Sequence, residues 1–219
     1  RYKPKAITNA VFITPNTLFK DRDRPLTSRL ISNLRTFKYP NIEYVENPDT
    51  TLTANIYLTP LKKFELGISA EALQSNIQTV GFSFNPSLLI RNVFNGAETL
   101  EISGFASIGA SKDANNDSDQ FFDINELGAN LKLNFPRIFF PFNTEKIIPK
   151  SMVPSTKITL AASSQTNIGL DKQTFSGIFN YQWYPSRSVT NRLDLFNVQF
   201  VKNLNTANYF NVYQNSFET

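Results

Sequence analysis

"GANLKLNFPRIFFPF", Gly128 to Phe142, is the stretch on which the fold turns. Its first half has two faces: Leu127, Ala129, Leu131, Leu133 and Phe135 alternate with Gly128, Asn130, Lys132 and Asn134. A period of two marks a strand with one apolar side. At Pro136 the alternation stops and the chain runs into Phe139, Phe140 and Phe142. The apolar side must be covered either by the core of a soluble protein or by lipid.

The same period extends on both sides of this stretch. Phe64, Leu66, Ile68, Ala70 and Ala72 alternate with Glu65, Gly67, Ser69 and Glu71, and Leu73 closes the run. Val80, Phe82 and Phe84 follow, then Leu100, Ile102, Ala106 and Ile108, then Ile158, Leu160 and Ala162. Phe175, Gly177, Phe179, Tyr181 and Trp183 form another run. The final one, "NRLDLFNVQFV", changes phase between Leu195 and Phe196, which predicts a bulge. About seven strands result, several close to the roughly 9–11 residues of a tilted membrane-spanning strand. Asn95-Gly96 predicts a hairpin turn. The long polar connections after the third and fourth strands suggest tight turns at one end and long ones at the other.

Residues 1–62 differ. "AITNAVFI" (Ala6 to Ile13) reads as a short strand. Leu26, Leu30, Ile31, Leu34 and Phe37 stand at helical spacing with Thr27 as the expected N-cap, and this is the only helix predicted. "NIEYVE" and "TTLTANIYLTP" read as strands joined by "NPD". The expectation is a small α+β module over 1–62 and an antiparallel sheet over 63–219.

Composition narrows the choice. The chain has 219 residues, of which 41% are hydrophobic and only 18% charged, with 20 Phe and 8 Tyr. Soluble domains carry roughly 25% charge. With no Cys and no His, disulfides, thiol chemistry, zinc fingers and imidazole bases are excluded from these residues. The formal charge is +4, and the basic residues before position 40 are mixed with acids such as Asp21 and Asp23, so no nucleic-acid groove is expected. No apolar run approaches the roughly 18–20 residues of a spanning helix, so a membrane could be crossed only by a closed barrel. A start at "RYKPKAI" reads as a cut from something longer.

Alternation alone fits a soluble β-sandwich as well as a membrane barrel. Three features favour the barrel: small uncharged polar faces, few surface charges, and aromatics gathered at strand ends. These are Phe139, Phe140 and Phe142, and Tyr181, Trp183 and Tyr184, read as membrane-interface aromatics.

The order of parts, a small module feeding directly into a barrel strand, resembles the BamA/TamA family of outer-membrane assembly proteins, in a Bacteroidota-like version. "LTSRLISNLRTF", "NIEYVENPDTTLTANIYLTPLKKFELGISAEA" and "GFSFNPSLLIRNVFNGAETLEISGFASIG" are similar to a last POTRA module and the first barrel strands. "LNFPRIFFPF" and "YQWYPSRSVTNRLDLFNVQFV" are similar to the versions seen in Bacteroidota. The family has a sixteen-stranded barrel and an Arg-Gly-aromatic motif on a late lumen loop. Neither is present here, which implies the front part of a longer protein.

The resemblance implies bacterial outer-membrane location, with the module in the periplasm. It also implies the insertion of β-barrel proteins or the export of secreted ones through a lateral gate. The templating edge would be Phe64, Glu65, Leu66, Gly67, Ile68, Ser69, Ala70, Glu71, Ala72 and Leu73, pairing with incoming strands through its backbone. A second edge, Ile42, Glu43, Tyr44, Val45 and Glu46, would receive unfolded substrates, accessory lipoproteins or periplasmic subunits; the alternative is that it completes a three-stranded sheet. Outer-membrane lipid is the remaining partner, and no cofactor or metal is implied.

Other chemistry finds little support. Asp113 to Asp119 spaces oxygens like a calcium loop, but Ser118 and Ile124 replace the required Gly and bidentate Glu, so a solvated loop is expected. Glu65 and Glu71 lie about 20 Å apart on an extended strand, too far for joint acid–base work. Serines without histidine make no ordinary triad, so no enzyme is expected. Arg91 and Asn92 read as a turn or lumen contact, or as a solvated strand end. The rival readings are a passive outer-membrane pore or transporter and a soluble secreted β-sandwich with a binding role.

Overall fold

The computed structural model describes residues 1–74, 78–111, 124–167, 170–186 and 188–204. The calcium-like stretch Asp113–Asp119 lies outside them. The protein is mainly β, and among the described residues it is built on a seven-stranded antiparallel sheet.

The N-terminal part consists of α1 (Pro4–Thr8), α2 (Asp23–Asn33), β1 (Asn41–Glu46) and β2 (Leu52–Tyr57). The strand expected at Ala6–Ile13 is instead helix α1 and a following turn. Pro4 sits in the first helical turn, where its missing N–H is harmless. Ile7, Ala10 and Val11 recur at helical spacing and reach a core formed with Leu30, Ile31, Leu34 and Phe37. Tertiary packing therefore overrode the strand preference of "AVFI". A second correction concerns Thr27. It lies inside α2, fully buried, and its Oγ1 accepts the Phe12 N–H at 3.0 Å rather than capping the helix. The helix also ends at Asn33, short of Phe37.

β1 and β2 form an antiparallel hairpin, Ile42 opposite Ile56 and Tyr44 opposite Ala54. Among the described residues their sheet holds only these two strands, so β1 does not complete a three-stranded one. The "NPD" turn is fixed by Asn47, whose amide donates to Thr51 and Thr53, and by Asp49, which accepts from Thr51.

The large sheet runs β3 (Phe64–Leu73), β4 (Gln78–Arg91), β5 (Thr99–Ser111), β6 (Ile124–Phe135), β7 (Ser155–Asn167), β8 (Leu170–Ser186) and β9 (Val189–Asn203). Each strand pairs with the next in sequence, so β3 and β9 are the outer strands; among the described residues the sheet does not close. The bulge expected at Leu195 is present: Phe179 faces Phe196, Asn180 faces Asp194, and Leu195 is left over.

The hairpin expected at Asn95-Gly96 is present: β4 and β5 pair antiparallel and are joined by 92–98, with Asn92, Asn95 and Ala97 all at positive φ. The expected sorting of connections by length is corrected. The long connection 136–154 emerges at the same end of the sheet as this turn, so loop length does not sort the two ends.

Candidate functional site: an exposed apolar face and its sheltered reverse

Antiparallel register decides which side chains share a face. Phe64, Ile90, Leu100, Leu133, Ile158, Phe179 and Phe196 form one cross-strand row. Leu66, Leu88, Ile102, Leu131, Leu160, Gly177 and Val198 form the next on the same face. Further along, Ala129, Ala162, Phe175 and Phe200 continue it. From Phe64 to Ala72 the apolar band runs about 26 Å along the strand, or about 20 Å if tilted by roughly 40°.

This face is uncovered. Leu66 is 70% exposed, Leu127 65% and Phe200 63%. The reverse face carries the row Gly67, Ser87, Ser103, Asn130, Ala161, Ser176 and Gln199. Most of that row is half-buried, so the polar side is the more sheltered one. Its small residues permit the crowding. A Cβ on Gly67 would lie 2.6 Å from Ser87 Oγ, and one on Gly128 would run into the Phe105 ring. Phe105 stands directly opposite Gly128 and fills the space left by its missing side chain.

The aromatics fall into two positions. Phe135, Phe139, Phe140 and Tyr181 gather at the end of the apolar face nearest the module. The Phe135 and Phe139 rings stack at 5.2 Å, and Phe140 meets Tyr181 edge-on at 6.5 Å. Tyr181 OH donates to the Phe139 carbonyl at 2.8 Å. Thr156, fully buried, accepts the Phe139 N–H and donates to the Arg137 carbonyl, both at 2.8 Å. The sequence stretch that began as a strand is thus folded back and pinned as a rim. Trp183 shares the phase of Tyr181. Tyr184 has the opposite phase and lines a cleft on the polar side with Phe142, while Phe140 stands at the sheet end between the rim and this cleft.

Arg91 joins the module to the sheet. Its guanidinium donates to the Arg35 carbonyl at 2.8 Å and the Lys62 carbonyl at 3.1 Å, and pairs with Glu65. It is 8% exposed, so it is neither a solvated strand end nor a simple turn contact. Glu65, expected as part of the edge, is the partner of Arg91 here. Glu98, which sequence reasoning passed over, is fully buried between the Gly96 N–H and Arg137. It ties the 92–98 turn to the 136–154 connection. A lone carboxylate beside Gly96 carries no sequence signal for this role; only the approach of Arg137 reveals it.

The expected templating strand Phe64–Leu73 is an outer strand, paired on one side with β4 through Phe64 opposite Ile90 to Leu73 opposite Gly81. Its other backbone edge is unpaired among the described residues. The same holds for the outer side of β1, Ile42 to Glu46. Tyr44 of that strand packs edge-on against Phe19 at 5.2 Å, and burial raises its phenol pKa. Among the described residues no three Asp or Glu gather as a metal site, and no helix is long and apolar enough to cross a membrane. Comparisons with protein-family models, curated proteins and solved structures find no match.

Proposed function

We propose that this chain is the front part of an outer-membrane β-barrel of the assembly and translocation class, with residues 1–62 as a POTRA-like periplasmic module. One observation carries the reading: the sheet is inside out for a soluble domain, with its apolar face exposed and its small polar face sheltered. In water, an uncovered apolar face far exceeding the few hundred Å² usual on a monomer would drive association. In lipid the same face is at its free-energy minimum, and the aromatic rim would lie at the headgroup layer.

The proposed action follows from backbone chemistry. An open strand edge offers N–H and C=O groups that a client strand can pair with, whatever its side chains. β3 supplies that edge, with Gly67, Ser69, Ala70 and Ala72 keeping its packing slight. Clients would be unfolded outer-membrane or secreted polypeptides, and no cofactor enters the mechanism. β1 is the proposed second edge, for a client or an accessory subunit.

The test is made on the protein in its native membrane. Carbonate washing should leave it in the membrane, and its gel mobility should differ between boiled and unboiled samples. Photo-crosslinkers at Leu66 and Ile68 should then capture unfolded barrel clients. Release by carbonate without a mobility shift would sink the membrane reading and favour a soluble sandwich. Retention without any client adduct would favour a passive pore.

A further inference from the structure

A cleft of about 1330 Å³ opens where the module meets the polar side of the sheet. The module contributes Lys5, Arg29 and Arg35, and the sheet contributes Lys132 and Lys157. Arg137 and Lys150 enter from the 136–154 connection, and the acids on the wall are Glu101 and Glu145. Arg137 is already neutralised by Glu98 at 3.1 Å, and Lys132 lies 3.8 Å from Glu101. Among the described residues Lys5, Arg29, Arg35, Lys150 and Lys157 have no carboxylate within ion-pair distance, against the single remaining acid Glu145. Five cations less one carboxylate leaves four positive charges on the wall of the cleft. These charges face one concave wall, where a partly enclosed surface strengthens their field.

We infer that this cleft binds an acidic segment of an extended polypeptide. Lys150 Nζ already donates to the Val11 carbonyl and Lys157 Nζ to Gln182, but neither acceptor carries a charge, so an anionic ligand is what relieves the mutual repulsion of these cations in a partly enclosed space. It must also arrive from water. The sheet residues lining the cleft, Leu89, Glu101, Lys132 and Lys157, belong to the polar face, opposite the apolar band. An anionic lipid could place its headgroup here only by drawing its acyl chains away from that band. The aromatic and proline wall, Phe140, Phe142, Tyr184 and Pro185, suits an extended chain whose carboxylates alternate with apolar side chains. The inference rests on the proposed function only for naming that polypeptide as a client; the binding is measured without any assembly activity.

The experiment is fluorescence anisotropy of a labelled Glu- and Asp-rich peptide with the full chain in neutral detergent. A peptide of equal length with Lys at the acidic positions is the control. The acidic peptide should bind selectively, and its affinity should fall as salt rises from about 0.05 to about 0.5 M. Lys5→Glu with Arg29→Glu, both exposed, should weaken it by roughly tenfold or more. Lys38→Glu, exposed on the module but outside the cleft, should leave it unchanged. Equal binding of the two peptides, no binding of the acidic one, or an equal loss with Lys38→Glu would overturn the inference. So would tighter binding of short-chain phosphatidylglycerol through Lys5 and Arg29, which would assign the cleft to lipid headgroups. Acidic-peptide binding with no client adduct at β3 would leave the cleft standing and remove only the assembly reading.

Discussion

The module and the sheet solve the burial problem in opposite ways. In residues 1–62 a set of apolar side chains turns inward to a core, with Ile31 fully buried and Leu30, Leu34 and Phe37 packed around it. In the sheet the larger apolar side chains turn outward, and the sheltered side holds Gly, Ser and Asn. One chain therefore contains a region organised for water and a region whose free energy depends on what covers it. The lesson is that alternation reports an apolar face without reporting its solvent. That is decided by which face is sheltered.

The sharpest way to break this contrast is to substitute the same kind of residue in both halves. Ile31→Ala should cost about 2–5 kcal/mol, since it empties a site closed on all sides. Hydrogen exchange across 27–37 would register it, and unchanged protection there would mean the module lacks a tight core. Leu131→Arg, in the middle of the apolar band, should cost about 2–4 kcal/mol in lipid vesicles by denaturant titration. A change within about 0.5 kcal/mol would mark that face as water-exposed and erase the contrast.

Arg91→Met tests the joint between the two regions. Losing the buried guanidinium's donors to two part-buried carbonyls should cost about 2 kcal/mol, most of it from the carbonyl contacts. The Glu65 pair adds little, because Glu65 is largely exposed. Protease sensitivity near 35–63 should rise while the strand protection of β5 to β8 persists. Loss of both together would show that the module and sheet fold as one unit.

The smallest effect belongs to the β1–β2 turn. Hydrogen bonds from the Thr51 side chain, and then from its backbone N–H, hold the Asp49 carboxyl below the ordinary aspartate value. The contribution is thus present above the unfolded pKa and lost as pH falls through the lowered one. In an NMR titration the Thr51 amide should move with a midpoint below that of a free aspartate. Thr51→Val should raise the midpoint, and an unchanged one would assign the shift elsewhere.

Much of the sheet was legible because a strand has only two faces. Once Leu131 and Leu133 are assigned to one side, the pleat fixes their neighbours, and the phase slip at Leu195 announces its own bulge. The N-terminal segment was harder. "AITNAVFI" carries both a strand composition and helical spacing, and packing on α2 chose between them. Thr27 looked like a cap because it precedes an apolar run; its hydroxyl is instead required by the Phe12 N–H. The cleft was illegible as a unit, since Lys5, Lys132 and Lys157 are distant in sequence and ordinary in isolation.

The sequence by itself determined the mainly β class, the seven strands, their two chemical faces and the lack of imidazole or thiol chemistry. Those properties follow from side-chain period and composition, which are local. Tertiary structure alone decided that the polar face is sheltered, that Arg91 and Glu98 are buried ties, and that cations with no carboxylate partner among the described residues meet at the module. Each of these depends on which distant segments approach one another, and burial and charge proximity are properties of that approach.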